Sequence, residues 1–443
     1  MLKPLSWSSA LSLRLYGALM HLAQPLLRRK LARRARTEPG YAQAVPERFG
    51  HYTQPPEPCA QLVWVHAVSL GETRAAAILL KAWRAQQPGL RVLLTHGTAT
   101  GRAEGLALLA PGDVQVWQPW DAPGAVERFF RHFKPRLGVL METEVWPQLV
   151  AGARAHGVPL QLVNARLSDK SLGQALRWSA LARPAYAGLS AALAQTDADA
   201  QRLRQLGTPV QAVLGNLKFD AQPHPGQLAL AQAQRHTQAS LYPGACLPVL
   251  MFASSREGEE ALFLEALQSL KASGGLPFQP LIVPRHPQRF DEVAQLAQAA
   301  GWAVSRRSAW GAELAQMPLP DAHTLWLGNS LGEMTLYYGL SQVAVLGGSF
   351  LPLGGQNLIE AAACGCPVVM GPHTFNFSEV AEQALAEGAA LRATDMAQAL
   401  ALAVQLLQAG QPSWSEAAQA FARRHQGAAQ RTVDWLDRSL CEH

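Results

Sequence analysis

Three short segments in the first half of this chain place reactive side chains where strands are expected to end. Leu62–Val65 leads into Ala67-Val68-Ser69-Leu70-Gly71-Glu72, and Leu137–Leu140 into Met141-Glu142-Thr143-Glu144-Val145-Trp146-Pro147. Gly215-Asn216-Leu217-Lys218-Phe219-Asp220 is the third. A carboxylate such as Glu72, at a helix mouth and partly desolvated, can take the proton of a hydroxyl nucleophile. An acid in a first helical turn is also favoured by the helix dipole, so spacing alone leaves capping and catalysis equally open. Glu142 and Glu144 flank a threonine at a strand end, a costly arrangement to bury without partners and therefore a mark of function. Arg166, in Asn164-Ala165-Arg166-Leu167-Ser168, and Lys218 stand where an anionic sugar or a phosphate can bind.

In the second half, LGGSFLPLGGQNLIEAAACGCPVVMGP (Leu346 to Pro372) reads as strand, glycine loop, helix over Gln356 to Ala363, and strand. Such a loop aims backbone N–H groups and the positive end of a helix at an anion, usually a phosphate. Asn357 can meet the same phosphate, and Glu360, one turn on, can accept from ribose hydroxyls. Pro284-Arg285-His286-Pro287 ends another apolar run, where Arg285 can read a pyrimidine carbonyl. Gly332-Glu333-Met334 opens a further helix. Asp197-Ala198-Asp199 opens a helix after Thr196 and reads as capping rather than as a metal pair. No His/Asp/Glu group has metal-ligand spacing. The five scattered cysteines, Cys59, Cys246, Cys364, Cys366 and Cys441, read as packing residues in a reducing compartment.

These loops need a scaffold of parallel strands. Apolar runs alternate with helical stretches from residue 61 to 219, and again from Val249 to Met370, the rhythm of βα units. At 443 residues the chain exceeds one comfortable core. The expected architecture is α/β, two Rossmann-like domains facing a central cleft, with ligands at the carboxyl ends of the strands. Expected boundaries are 1–40 for a membrane-associated basic helix, 41–220 for the first domain, 221–245 for a linker, 246–425 for the second domain and 426–443 for a closing helix.

The formal charge of +6 is local. Residues 1–40 hold eight Lys or Arg and one Glu, while the other 403 residues hold 30 basic and 31 acidic groups. That distribution argues against a broad nucleic-acid surface. Wound as a helix, Leu11, Leu15, Leu19, Leu22 and Leu26 form one stripe, followed by six cations between Arg28 and Arg36. No uninterrupted apolar span of about 20 residues is present, and the basic cluster follows the apolar part, opposite to a signal peptide. A helix lying in the interface, with its cations on anionic headgroups, fits the pattern; a single-span anchor stays open.

Together, METE-WP, NARLS, GNLKFD, the GG-N--E loop and Gly371-Pro372-His373-Thr374-Phe375-Asn376-Phe377 resemble the 3-deoxy-D-manno-octulosonic acid (Kdo) transferase family over nearly the whole chain. The resemblance implies a GT-B-type inverting glycosyltransferase with CMP-Kdo as donor, a lipid A precursor (lipid IVA) as acceptor through its 6′-hydroxyl, and no metal or other cofactor. It implies Glu72 as general base, with Glu142 and Lys218 stabilising the transition state. It places CMP against Pro284, Arg285, Gly332, Glu333, Met334, Asn357, Leu358, Ile359 and Glu360, and the protein at the cytoplasmic face of the inner membrane. The sequence departs from the usual family pattern at Asn329-Ser330 (commonly Asp-Thr), Gln356 (commonly His) and Leu358 (commonly Pro). Two other readings are open: a two-lobed transferase using a UDP-sugar, and a membrane-docked nucleotide-binding protein without turnover.

Overall fold

The structure is a computed structural model that describes residues 6–56, 62–243, 246–409 and 412–441. Cys59 and the Cys441 side chain lie outside that description, as do residues 1–5 of the expected membrane segment and residues 244–245 of the expected linker. The chain divides into two compact units, Met1–Asp220 with Gln426–His443, and Ala221–His425.

The strands of the first unit are β1 (Leu62–His66), β2 (Arg91–His96), β3 (Val114–Trp117), β4 (Leu137–Met141), β5 (Leu160–Ala165), β6 (Ala191–Ala194) and β7 (Val210–Val213). They pair in parallel in the order β3-β2-β1-β4-β5-β6-β7. β1 and β4 are buried along their whole length, because helices cover both faces of a parallel sheet. One face packs Trp64, Phe129 and Phe130; the other packs Val65, Leu79, Trp83 and, from the C-terminal helix Ala428–Cys441, Val433 and Leu436. That last helix is tied down by Trp83 Nε1, which donates to Asp437 at 2.7 Å. Strand order reverses between β1 and β4, and at such a switch point the two outgoing loops leave a crevice for ligand.

The second unit contributes β8 (Val249–Ser255), β9 (Gln279–Pro284), β10 (Ala303–Arg306), β11 (Thr324–Leu327), β12 (Val343–Leu346), β13 (Val368–Met370) and β14 (Ala390–Arg392). Their order is β10-β11-β9-β8-β12-β13-β14, again parallel, with a switch point between β8 and β12. The expected linker differs from a bare connector. Pro225–Leu241 is a 17-residue helix whose Gln227 bonds Gly332 and Leu336, so it is part of the second unit. Its Gln- and Ala-rich sequence has high helix propensity, and the prolines stand outside its interior.

At the N-terminus the expected single helix is two, α1 (Trp7–Leu22) and α2 (Gln24–Arg34), broken at Ala23 with Pro25 in the first turn of α2. No helix among the described residues is long and apolar enough to cross a membrane. α1 lies on the first unit: Gln148 Nε2 donates to Leu13 O at 2.7 Å, and Tyr16 bonds the buried Asp121. A Cβ on Gly17 would come 2.8 Å from Pro123, so the glycine allows this approach. The opposite face of α1 leaves Trp7, Leu11, Leu15, Leu19 and Leu22 in solvent, and Leu26 of α2 is exposed as well.

Candidate active site

The first unit gathers its reactive side chains at the β1/β4 switch point. Beyond β1, Ser69 caps the helix α3 (Leu70–Gln86), its Oγ accepting from Glu72 N at 3.4 Å. The Glu72 carboxylate turns back and accepts from Val68 N at 2.6 Å. This is a reciprocal capping arrangement, so the capping reading holds, and it fixes the carboxylate at the sheet edge. Glu72 is buried, and its pKa is pushed up to about 7. Burial is the main cause; the charges of Glu144 and then Glu142 add to it, while the Val68 N–H and Arg166 oppose it.

Beyond β4, Glu142 takes the left-handed conformation (φ 55°), a strained choice for a residue with a Cβ. Its carboxylate is 2% exposed yet fully engaged: Lys218 Nζ donates to Oε1 at 3.0 Å and Arg166 Nε to Oε2 at 2.8 Å. Burial raises its pKa, but the two cations and their hydrogen bonds outweigh that, leaving the group below its ordinary value. Both cations are held by their own loops. Asn164, also left-handed (φ 53°), bulges β5 and accepts from Leu217 N at 3.0 Å through Oδ1. That bond interlocks the NARLS and GNLKFD segments and brings Arg166 and Lys218 to one carboxylate. Half of the Arg166 side chain remains exposed.

Glu144 belongs to the same cluster. Its carboxylate accepts from Trp146 Nε1 at 2.7 Å, and burial, with the Glu142 charge, raises its pKa. The Asp197-Ala198-Asp199 acids are structural: Thr196 caps the helix, and Asp199 accepts from Leu167 N at 2.8 Å. No group of three or more potential metal ligands occurs among the described residues.

In the second unit, the glycine loop after β12 is shaped from beneath by Glu259. This fully buried carboxylate accepts from Arg256 N at 3.1 Å, Gly348 N at 2.6 Å and Phe350 N at 2.9 Å. Two N–H groups expected to face an anion are therefore already taken. The helix also starts later than expected, at Ile359, whose N–H bonds Asn357 Oδ1 at 3.1 Å. The backbone N–H groups of Gln356, Asn357 and Leu358 have no hydrogen-bond partner among the described residues. Gly354 and Gly355 both have positive φ (93° and 79°), and a Cβ on Gly354 would lie 2.1 Å from Asn376 Nδ2. The His373–Phe377 segment is thereby packed on the loop.

Arg285 follows β9 and is tied by its N–H to Ser255 O at 3.0 Å. Pro284, Leu358 and Ile359 have buried side chains, so they shape the loops rather than project from them. The Glu333 carboxylate is engaged by Arg307 Nη2 at 2.8 Å and by the Ser330 hydroxyl. Asn329, at the other position that departs from the usual pattern, accepts from Ser308 N at 2.9 Å. Gly332 and Met334 bracket Glu333 at the start of the helix Met334–Leu340, and Thr335 Oγ1 donates to Glu360 at 3.3 Å. On this unit Asn357, Glu360 and the 332–334 turn are linked through Ile359 and Thr335, and Arg285 stands at the carboxyl end of β9 on the same sheet; on the other, Glu72, Glu142 and Lys218 come together.

Residues 43–221 match the family model described as 3-deoxy-D-manno-octulosonic-acid transferase (kdotransferase). The 3-deoxy-D-manno-octulosonic acid transferase of Bordetella pertussis is 50% identical over 424 residues, spanning 93% of this chain and 96% of that protein. The chain belongs to the Kdo transferase family. The transferase of the same name from Haemophilus influenzae is 31% identical over 428 residues, spanning 95% and 97%. A glycosyltransferase from Rickettsia africae ESF-5 superposes with a TM-score of 0.55 at 12% identity, covering 88% of this chain and 100% of that one; at such identity it shows the fold alone. As a Kdo transferase, this chain is a glycosyltransferase enzyme built on two parallel-sheet α/β domains of the GT-B type.

Sequence reasoning flagged Glu144 but not its neighbour His66, the last residue of β1. Within an apolar run His66 reads as core. Only the strand's end position and its approach to Glu144, 4.0 Å from Nε2 to Oε2, set it apart.

Proposed function

We propose that this Kdo transferase moves Kdo from CMP-Kdo to the 6′-hydroxyl of lipid IVA with inversion, Glu72 serving as general base and no metal taking part. The observation that carries this reading is Glu72 itself: a buried carboxylate with a pKa near 7, beside the Glu142–Lys218–Arg166 cluster. Such a group is ionised often enough at neutral pH to accept a proton and basic enough to hold it. The acceptor oxygen attacks C2 of Kdo as its proton passes to Glu72; the C2–O bond to phosphate breaks, and CMP leaves with the electron pair. The sugar acquires oxocarbenium character, and negative charge grows on the phosphate. Arg285 and the unpartnered N–H groups of Gln356, Asn357 and Leu358 are fixed donors for that charge. Arg166 and Lys218 suit the donor's own carboxylate, and Glu142 keeps both oriented.

The acceptor is a lipid, and the exposed stripe on α1 supports work at a membrane surface. The stripe runs from Trp7 to Leu26, with the cations of α2 beyond it, and its helix is held to the first unit by the other face. This pattern supports peripheral docking on an anionic membrane surface, which for the proposed reaction is the cytoplasmic leaflet of the inner membrane. Incubating the protein with lipid IVA and CMP-Kdo, and weighing the lipid product by mass spectrometry, tests the reaction. A Kdo mass increment with CMP-Kdo and none with UDP-sugars is expected. Gain from a UDP-sugar, or no gain at all, overturns the reading.

A further inference from the structure

His66 is fully buried at the carboxyl end of β1, directly beside β4, with His66 registered against Leu140. Trp64 Nε1–H donates to Thr95 Oγ1 at 2.8 Å, and Thr95 Oγ1 lies 2.8 Å from His66 Nδ1. Nδ1 also lies 3.2 Å from the Thr95 carbonyl, but with the indole proton on one lone pair the hydroxyl's own proton has no other acceptor among the described residues, so we assign it to Nδ1. That leaves the imidazole proton on Nε2. Among the described residues Nε2 has no hydrogen-bond partner, although the ring is wholly enclosed. A buried donor left unpaired costs about 1–3 kcal/mol, so its direction is informative. The Glu144 carboxylate lies 4.0 Å away, through the Oε2 that also accepts from Trp146 Nε1, and a closure of about 1 Å brings it within hydrogen-bond distance.

We propose that His66 is a positioning residue: its Nε2–H, oriented by the Trp64–Thr95 chain, holds the Glu144 carboxylate beside Glu72, where this second negative charge keeps the base strong. The proposal rests on the reading of Glu72 as base. His66 serves as a neutral donor, since burial, then His96 and Arg48 on neighbouring elements, oppose its protonation, with the Thr95 carbonyl acting the other way. The charged groups facing Glu72 are Glu144 and Glu142 from the loop after β4 and Arg166 from the loop after β5. Tyr186, on the helix Ser179–Ala187, faces Glu144 from the other side. Of the charges acting on Glu72, Glu144 has the largest effect. It is also the one without a cation of its own: Glu142 has Lys218 and Arg166, whereas Glu144 has Trp146 and Thr143. An imidazole N–H fixes such a charge without neutralising it.

The test is the pH profile of kcat/KM, measured on the full chain with CMP-Kdo and lipid IVA. Glu144→Gln removes the charge and should move the acid limb down by about one pH unit. His66→Met, which frees the carboxylate to turn away, should move the limb in the same direction by less, and His66→Gln, which restores a donor near the Nε2 position, should bring it back. Thr95→Val is nearly isosteric and guards against a His66 variant that does not fold. Without the hydroxyl, Nδ1–H turns to the Thr95 carbonyl, 3.2 Å away, and Nε2 presents a lone pair to Glu144; its limb should also move down. In a Glu144→Gln background neither His66→Met nor Thr95→Val should move the limb further. An unmoved limb in both, or an equal shift in that background, makes His66 a core residue only. Glu72→Gln is read in parallel: retention of activity there overturns the base assignment, whereas loss of activity with unmoved limbs elsewhere overturns the His66 role alone.

Discussion

Lys218 Nζ donates to Glu142 Oε1 at 3.0 Å although 76 residues separate them in the chain. The pair exists because two strand ends adopt left-handed residues, Glu142 and Asn164, and because Asn164 pins the turn that carries Lys218. A carboxylate 2% exposed with two cations is a poor way to gain stability alone, since desolvation consumes much of the Coulomb gain. It is a good way to hold two cations rigid where the proposed reaction brings an anionic sugar.

Lys218→Met should therefore damage turnover more than folding. Removing one fixed charge from the site is expected to lower kcat by about 100-fold. The Arg166 bond persists and Lys218 is already partly exposed, so the loss of stability should stay below the roughly 3 kcal/mol of a buried pair broken outright. Steady-state kinetics and urea midpoints separate the two. A variant with full activity would remove Lys218 from the site.

Glu72 gives a prediction with opposite signs for activity and stability. Its pKa rises from 4.5 to about 7 on folding. The folded state thus binds the proton more tightly than the unfolded one. The wild type has no ionisation cost below pH 4.5; the cost grows as pH rises to about 7 and is complete above it. At 1.36 kcal/mol per unit the full cost is about 3 kcal/mol. Glu72→Gln keeps an acceptor for Val68 N–H and never ionises, so it should be more stable than wild type at pH 8, little different at pH 4, and inactive throughout. Thermal melts at both values check this; equal stability at pH 8 would mean that Glu72 is not desolvated.

How far these sites could be read from sequence depended on strand position. The apolar runs that mark strands correspond to strands in the two sheets. Three strands, β7, β10 and β14, were not marked by such a run, and all are edge strands. β7 and β10 are half-wet along much of their length, so they lack an apolar run. Glu72, Glu142 and Arg285 were legible because each follows a buried strand, where a charge stands out; Lys218 follows the half-wet β7 and was marked by its GNLKFD motif instead. Two features were hidden for the opposite reason. Glu259 stands in the first turn of its helix, and nothing in its neighbours shows that it would take the N–H groups of Gly348 and Phe350, 89 and 91 residues on. His66 sat within an apolar strand and carried no signal until Glu144 was placed beside it.

Glu259 in turn predicts a donor-side phenotype. Glu259→Ala leaves three backbone N–H groups without their acceptor and loosens the glycine loop. Each orphaned group costs about 1–3 kcal/mol where water cannot reach it, so a lower melting temperature is expected. At a temperature where the variant is folded, KM for CMP-Kdo should rise several-fold while KM for lipid IVA stays near wild type. A rise in both, or in the acceptor KM alone, would separate the loop from the nucleotide.

The N-terminal helix predicts membrane binding that can be removed without removing the helix. Deleting α1 would uncover Gln148, Pro123 and Asp121, which its inner face covers, so truncation confuses docking with folding. Leu15→Ser, Leu19→Ser and Leu22→Ser together change only residues 63–75% exposed, on the outer face. Each leucine buried in the headgroup region is worth about 1.5–3 kcal/mol, so the triple variant should lose several kcal/mol of partition energy. Flotation with vesicles rich in phosphatidylglycerol should carry wild type and leave the variant behind. Salt should weaken the wild-type interaction, because α2 ends in Arg33 and Arg34 and adds about 1 kcal/mol per cation at an anionic surface. Wild type that stays in solution at low salt, or a variant that floats equally well, would place this stripe against something other than lipid.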